Sequence, residues 1–430
     1  MSALKSKLRL PRIELPAAMD GKVEHDPVVT YYLIVVPALV LTTFGLVMGF
    51  SASAVTNIAA GNSPYLAFVR QLFIVIVSLV LALIVHFGPH KWWYKHAPAA
   101  FLASLALQSL VLTPLGVNVG GNTNWIAIPG LPQMQPSELI KLTLILLLAR
   151  MLARPGARRE DWKQMGVTVG IPIAVGIGAV LLGKDMGTAM VVAVAALAAL
   201  WVAGLPGRWF LGLIAFAVPV GAFLVASNPT RLRRILAVLP WNGEERDLSS
   251  PEQIDHALWA LGSGGISGLG PGASREKWNY LQEGHTDFIL AILGEEFGLL
   301  GTLTVLLCLG LLSWSMVRVA LSATNDFVAI SAAGIAAWIG AQGIINITSV
   351  TGLGPVIGVP LPLVSYGGSS FLFTAFAIAV VASFARAEAG MWTFGSPDES
   401  SAGRDPRVAP RKRRPGRRQA RSKKKVREEV

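Results

Sequence analysis

The chain has 430 residues, 53% hydrophobic and only 14% charged, with a mean hydropathy of +0.55, a balance that excludes a soluble globular domain. Its formal charge of +12 resembles a nucleic-acid signal until it is located: thirteen Lys and Arg fall between residues 404 and 427, so the excess is largely one tail and no nucleic-acid partner is expected. The single cysteine, Cys308, lies in an apolar run, which offers neither a disulfide nor a thiol-ligated metal site.

The first 28 residues are polar and carry Lys5, Lys7, Arg9 and Arg12, so they read as a cytoplasmic tail with no cleavable signal. Apolar runs of bilayer-crossing character follow near residues 32–55, 65–87, 97–117, 138–152, 166–182, 186–203, 208–226, 287–317, 327–350 and 367–384. The expected fold is an all-α polytopic membrane domain over residues 29–390, with about ten transmembrane helices. Lys91, Lys95, Arg150, Arg154, Arg158, Arg159, Lys163, Arg208 and Arg318 fall in one alternate set of loops, while the loops at 56–64 and 118–137 hold no Lys or Arg. The positive-inside rule then puts both termini in the cytoplasm. Two outer loops, 118–137 and about 227–286, are rich in Gly, Pro and Trp and read as folded. Residues 391–430 read as a disordered basic tail lying along anionic inner-leaflet lipids, each basic residue contributing on the order of 1 kcal/mol near the surface.

Ionisable groups inside apolar spans cost several kcal/mol unless paired or wetted, so their places are informative. Arg70 sits one turn into the second span. Glu138 and Lys141 open the fourth, three residues apart and on one helix face. Lys184 and Asp185 form a polar hinge between the fifth and sixth, and Glu295 and Glu296 lie two turns inside the eighth. That eighth span emerges from KWNYLQEGHTDFILAILGEEFG (277–298), where a polar loop meets a long apolar run at His285, Thr286 and Asp287. Thr286 is expected as the N-cap and Asp287 in the first turn, where an acid complements the helix dipole. The same reading covers Glu138 but not Lys141, a cation at the wrong end of a dipole, which points to an anion nearby. Because Arg70, Lys141 and Asp287 all fall near the outer ends of their spans, one outward-facing polar cavity is expected to hold them. The plainer alternative is an internal ion-pair network that locks helices together. Small hydroxyls in LPLVSYGGSS (361–370), and Gln342 with Asn346, suit close helix packing and interhelical bonding, and at least one of Glu295 and Glu296 is expected to pair with another helix.

Four blocks then carry a resemblance: GNTNWIAIPGLPQMQPSELIKL (121–142), GKDMGT (183–188), ALGSGGISGLGPGASREKWNYLQEGHTDFILAILGEEFGLLG (260–301) and GVPLPLVSYGGSS (358–370). In this order they resemble the SEDS proteins of shape, elongation, division and sporulation, over nearly all of the membrane region, and GASREKWNYLQEGHTDF is more similar to the division member than to the elongation member. The resemblance implies a peptidoglycan glycosyltransferase that polymerises lipid II, as donor and acceptor, at the outer face of the bacterial cytoplasmic membrane and at the division septum. It also implies a class B penicillin-binding transpeptidase and other divisome proteins as partners. Carried onto this chain, the family's essential acid falls on Asp287, its loop tryptophan on Trp125 and its helix-four pair on Glu138 and Lys141. Arg70, Lys277, His285, Thr286 and Ser365 join them as expected substrate contacts. The chain departs from the family at Asn124, where Arg is frequent, and at Val356 and Ile357, where Thr-Lys is frequent, so two cations that could touch phosphate or peptide are absent.

The chemistry expected is an inverting displacement, with Asp287 taking the proton of the acceptor sugar's 4-hydroxyl as polyprenyl pyrophosphate departs. Lys141 and Arg70 would stabilise the leaving charge. A divalent cation, Mg or Mn, would suit the pyrophosphate, with Asp287 as its candidate ligand; no organic cofactor is expected. Two further classes stay open, a lipid II flippase and a non-catalytic scaffold, alongside an elongation-type polymerase. The spans and the hinge at 183–187 are transporter-like, but no internal repeat is evident and the charges bunch at one face rather than along a path.

Overall fold

The computed structural model describes residues 26–391, apart from residues 60, 62, 120–121, 131, 156–160, 228, 237–252, 279–280 and 282–283. The basic tail expected at 391–430 therefore lies outside the described residues beyond Met391.

Helices α1 (Pro27–Ala59) and α2 (Pro64–His86) pack as neighbours, and α3 (His90–Ser109) follows. The third predicted run, 97–117, is corrected here: the helix starts earlier and stops at Ser109, followed by a 3-10 turn at Leu110–Leu112. Pro114 is the reason. It has no N–H to continue a helix and pushes the residue before it to extended backbone, and Thr113 accordingly has φ −97° and ψ 174°. The chain turns into an antiparallel hairpin of β1 (Gly116–Val119) and β2 (Asn122–Ile126), with Trp125 opposite Val117, and Ile126 also bridges to Met134. The described part of the 118–137 loop thus includes regular structure, as its composition suggested.

Helix α4 (Ser137–Leu152) is only 16 residues long, yet nearly every side chain on it is buried, packed among α3, α7 and α12. A helix buried all round belongs at the centre of a bundle. Helix α5 (Trp162–Met165), capped by the Asp161 carboxylate, passes through a π-helical turn at Gly166–Gly170 into α6 (Ile171–Leu182). Helix α7 (Met186–Val202) is capped by Asp185, whereas α8 (Gly207–Ala226) buries no side chain at all. Two short helices, α9 (Pro229–Leu236) and α10 (Gln253–Ser263), precede α11 (Ile289–Ser322), α12 (Asp326–Val350) and α13 (Gly368–Glu388).

Among the described residues seven helices are long and apolar enough to cross a membrane: α1, α2, the α5–α6 unit, α8, α11, α12 and α13. This is a polytopic helical membrane protein. Small residues let its helices approach closely where lipid supplies no hydrophobic drive: Gly343 on α12 meets Leu309 on α11, and Gly334 meets Ile145 on α4.

The eighth predicted run is not one unbroken helix. At Gly298 the backbone takes φ 64° and ψ −161°, and the 264–270 loop enters the break. Leu269 and Gly270 donate to the Glu295 and Glu296 carbonyls, and Leu299 and Leu300 donate back to Gly265 and Ile266. The hydrogen bonds lost by the helix are thereby replaced across the loop. A Cβ at Gly298 would lie 2.3 Å from the Gly268 nitrogen, so only glycine permits this approach.

Candidate active site

The helix begins two residues later than expected, which leaves Asp287 before its N-cap. Phe288 is the N-cap of α11 and Ile289 its first residue, so Thr286 does not cap the helix and Asp287 stands outside the first turn. The cause is tertiary. The Thr286 carbonyl accepts the Ser365 hydroxyl at 2.6 Å and the Asp287 carbonyl accepts the Asn346 amide at 2.7 Å, so both are anchored to distant segments. Asn346 gives its second amide hydrogen to the Val359 carbonyl at 2.8 Å, and Ser365 also accepts from the Leu361 N–H. The Tyr366 N–H donates to the His285 carbonyl at 3.0 Å, with the two rings 5.8 Å apart. The 351–367 loop thus holds His285 and Thr286 by their backbones, Asn346 on α12 holds Asp287, and all three side chains stay half-buried. Gly358, at φ 77°, passes so close that an added Cβ would be 3.4 Å from Asp287 Oδ2.

Lys141 and Glu138 form an ion pair at 2.8 Å with both side chains almost wholly buried. The Lys141 ammonium also donates to Gln342 Oε1 at 2.9 Å and sits 4.5 Å above the Trp338 ring, while the Trp338 N–H donates to the same Gln342 oxygen. Gln342 in turn donates to the Pro360 carbonyl at 2.9 Å. The pair is thus part of a buried network among the described residues, and it reaches the segment beside Asp287 through α12 and residues 358–361. Arg70 is exposed on α2, and its charge reaches Tyr366. Burial raises the Tyr366 phenol above its ordinary pKa and Arg70 draws it partly back, so the hydroxyl keeps its proton at neutral pH.

Lys277 is equally internal. Its three donors go to Glu296 Oε1 at 2.7 Å, the Ser51 hydroxyl at 2.9 Å and the Gly272 carbonyl at 2.7 Å. Glu295 accepts from Ser274 and from the Arg275 N–H. Both glutamates therefore clamp the loop before Asp287 to α11, and the Ser51 hydroxyl, donating to Glu296 at 2.6 Å, adds α1. Among the expected substrate contacts, Lys277, Glu138, Lys141 and Ser365 are buried supports in this structure. Trp125, half-buried in the hairpin, together with Arg70, His285, Thr286 and Asp287, is open to an approaching molecule.

Asn124, where the family frequently has Arg, is a buried partner of the hinge: its amide donates to Asp185 Oδ2 at 2.8 Å, and Gln135 donates to the same oxygen at 2.6 Å. The other Asp185 oxygen accepts the Thr188 N–H and caps α7. Gln135 and Ser51 were missed from sequence: Gln135 lies in a polar loop, and a small hydroxyl such as Ser51 is unremarkable inside an apolar run. Gln342 and Asn346 were noticed as interhelical glue, but both bond the loop that carries the site.

With this geometry in view, comparison with known proteins is decisive. The family model described as "Cell cycle protein", of FtsW, RodA and SpoVE, matches residues 31–389. The chain belongs to this family. Curated relatives include the proteins named "Probable peptidoglycan glycosyltransferase FtsW" of Burkholderia thailandensis, 38% identical over 80% of this chain and 76% of that protein, and of Thiomonas intermedia, 39% identical over 80% and 85%. Among solved structures, a chain of a peptidoglycan synthase complex described as coordinating polymerisation and crosslinking superposes with a TM-score of 0.61 at 28% identity, over 80% of this chain and 96% of that one. The rod-shape-determining protein RodA of Thermus thermophilus gives 0.59 at 28% identity, over 83% and 96%.

Proposed function

We infer that this FtsW/RodA/SpoVE-family chain is a peptidoglycan glycosyltransferase that joins lipid II units into glycan strands during cell division. The observation that carries the site assignment is the support of Asp287: its backbone is fixed by Asn346 and its neighbours by Ser365 and Tyr366, while its carboxylate stays half-exposed where a polar loop meets the bundle.

Asp287 acts as general base. It accepts the proton of the acceptor sugar's 4-hydroxyl as that oxygen bonds to the donor's anomeric carbon; the bond from that carbon to the pyrophosphate oxygen breaks, and polyprenyl pyrophosphate leaves with inversion. Arg70 offers positive charge on the approach, and Trp125 an aromatic face for the sugar or peptide. Glu138 and Lys141, through Gln342, and Lys277 with Glu296 position the acid. A divalent ion, Mg or Mn, fits with Asp287 as sole carboxylate, its other ligands coming from substrate phosphate and water; among the described residues no group of three His, Cys, Asp or Glu offers a full protein cage. When bound, such an ion would neutralise charge on the leaving pyrophosphate.

The membrane arrangement proposed is ten crossings, by α1, α2, α3, α4, α5–α6, α7, α8, α11, α12 and α13, with both termini cytoplasmic and the Asp287 end outside. A class B penicillin-binding transpeptidase and divisome proteins at the septum are the proposed partners. Purified chain supplied with labelled lipid II tests the assignment: Asp287→Asn should lower polymerisation by about 10² to 10⁴-fold. Near-normal strands from that variant would remove Asp287 from the chemistry, and wild-type vesicles that translocate lipid II without making strands would favour a flippase.

A further inference from the structure

Helix α9 carries Arg231, Arg233 and Arg234 within four residues. Arg231 and Arg234 share a face and reach two different segments. Arg231 Nη2 donates to the Lys184 carbonyl at 2.8 Å, and Arg234 Nη1 to the Val356 carbonyl at 3.3 Å. These segments converge on the site. Lys184 precedes the hinge carboxylate Asp185; Val356 stands two residues before Gly358, which lies against Asp287; and Ile357 packs on Gly187 and joins the two.

For Arg234, one carbonyl is small use of a guanidinium with five N–H donors. Arg233 and Arg234 are exposed and meet no acidic side chain among the described residues. Lys184 adds another exposed cation, held at φ 61°, a left-handed backbone that costs a non-glycine residue roughly 1–3 kcal/mol. Positive charge thus gathers on two segments, around Lys184 and Val356, of which the second runs on to Gly358 beside Asp287. Helix α8, which precedes α9, buries no side chain and is apolar and long enough to cross a membrane, so α9 follows a span whose faces are left for lipid. Planar guanidinium forks match phosphate oxygens.

We propose that Arg233, Arg234 and Lys184 form a docking site for the phosphates of a lipid-linked pyrophosphate, holding the donor at the approach to Asp287. The site rests on the glycosyltransferase reading above. Anionic phospholipid headgroups offer the same phosphate chemistry, so the test must separate the two.

Binding of polyprenyl pyrophosphate and, separately, of phosphatidylglycerol to the full detergent-purified chain would be measured for wild type, Arg233→Gln, Arg234→Gln and Arg234→Lys, beside lipid II polymerisation kinetics. Each Gln variant should weaken pyrophosphate binding at least roughly tenfold and raise KM for lipid II in step, with phosphatidylglycerol binding unchanged and Arg234→Lys intermediate. Unaltered pyrophosphate affinity in the Arg233→Gln, Arg234→Gln double variant overturns the proposal, and so does an equal loss for phosphatidylglycerol. Arg233 makes no bond within the described residues, so misfolding cannot imitate its effect. Because binding is read without turnover, a wild type that binds pyrophosphate yet forms no strands would remove the enzymatic reading and leave the site standing.

Discussion

Asn346 spends both amide hydrogens on carbonyls, one of Asp287 and one of Val359, so its role is to fix where the acid sits. Asn346→Leu should reduce kcat for lipid II polymerisation by at least about tenfold, as a misplaced reacting group does, with a smaller change in KM. Retained kcat would mean that α11 places Asp287 unaided. Lys141 calls for a different experiment, because its partners are buried with it. Lys141→Met leaves Glu138 without its cation and should cost about 3–5 kcal/mol, whereas Glu138→Leu with Lys141→Met should recover much of that. Denaturation in detergent reads both variants. If the single and double variants are equally unstable, the ion pair is not the interaction at stake.

Elements meet the site through broken helices. The gap at Gly298 admits the 264–270 loop, and that loop leads to Ser274 and Lys277, which hold Glu295 and Glu296. Gly298→Ala combines a left-handed backbone with a Cβ 2.3 Å from the Gly268 nitrogen, so it should expel the loop. The expected outcome is faster proteolysis within 264–278 and a loss of roughly 1–3 kcal/mol, larger than that from Gly310→Ala, whose added Cβ meets open space on the same helix. Equal resistance in the two variants would show that the loop does not depend on this close approach.

For the whole molecule, the proposed topology places the β1–β2 hairpin, the hinge, α9 and the 351–367 loop together outside. Cys308 is the chain's only cysteine, so its replacement by serine leaves a clean background for labelling. In that background an impermeant maleimide should modify Gly130→Cys in intact cells and Arg154→Cys only after permeabilisation. The reverse pattern would invert the bundle and put Asp287 in the cytoplasm, away from any outer-leaflet substrate.

How much was legible in advance follows from the range of each interaction. Apolar runs and the distribution of Lys and Arg report the cost of moving side chains into lipid, a property of local composition, so the polytopic helical class was readable from sequence. The blocks around Trp125, Asp185, Asp287 and Ser365 marked the family in the same way. Local sequence also held the Pro114 stop, although hydropathy masked it. Long-range bonds decided the rest. Thr286 is a sound N-cap by local rules, yet the helix begins beyond it, where Ser365, 79 residues away, anchors its carbonyl to another segment. Spacing put Glu138 and Lys141 on one helix face, and only packing showed that the two pair while buried and that Gln342 joins them to the loop around Asp287. A sequence displays which polar groups must be satisfied; which partner satisfies each is set when distant segments pack, and in this chain those choices place the acid.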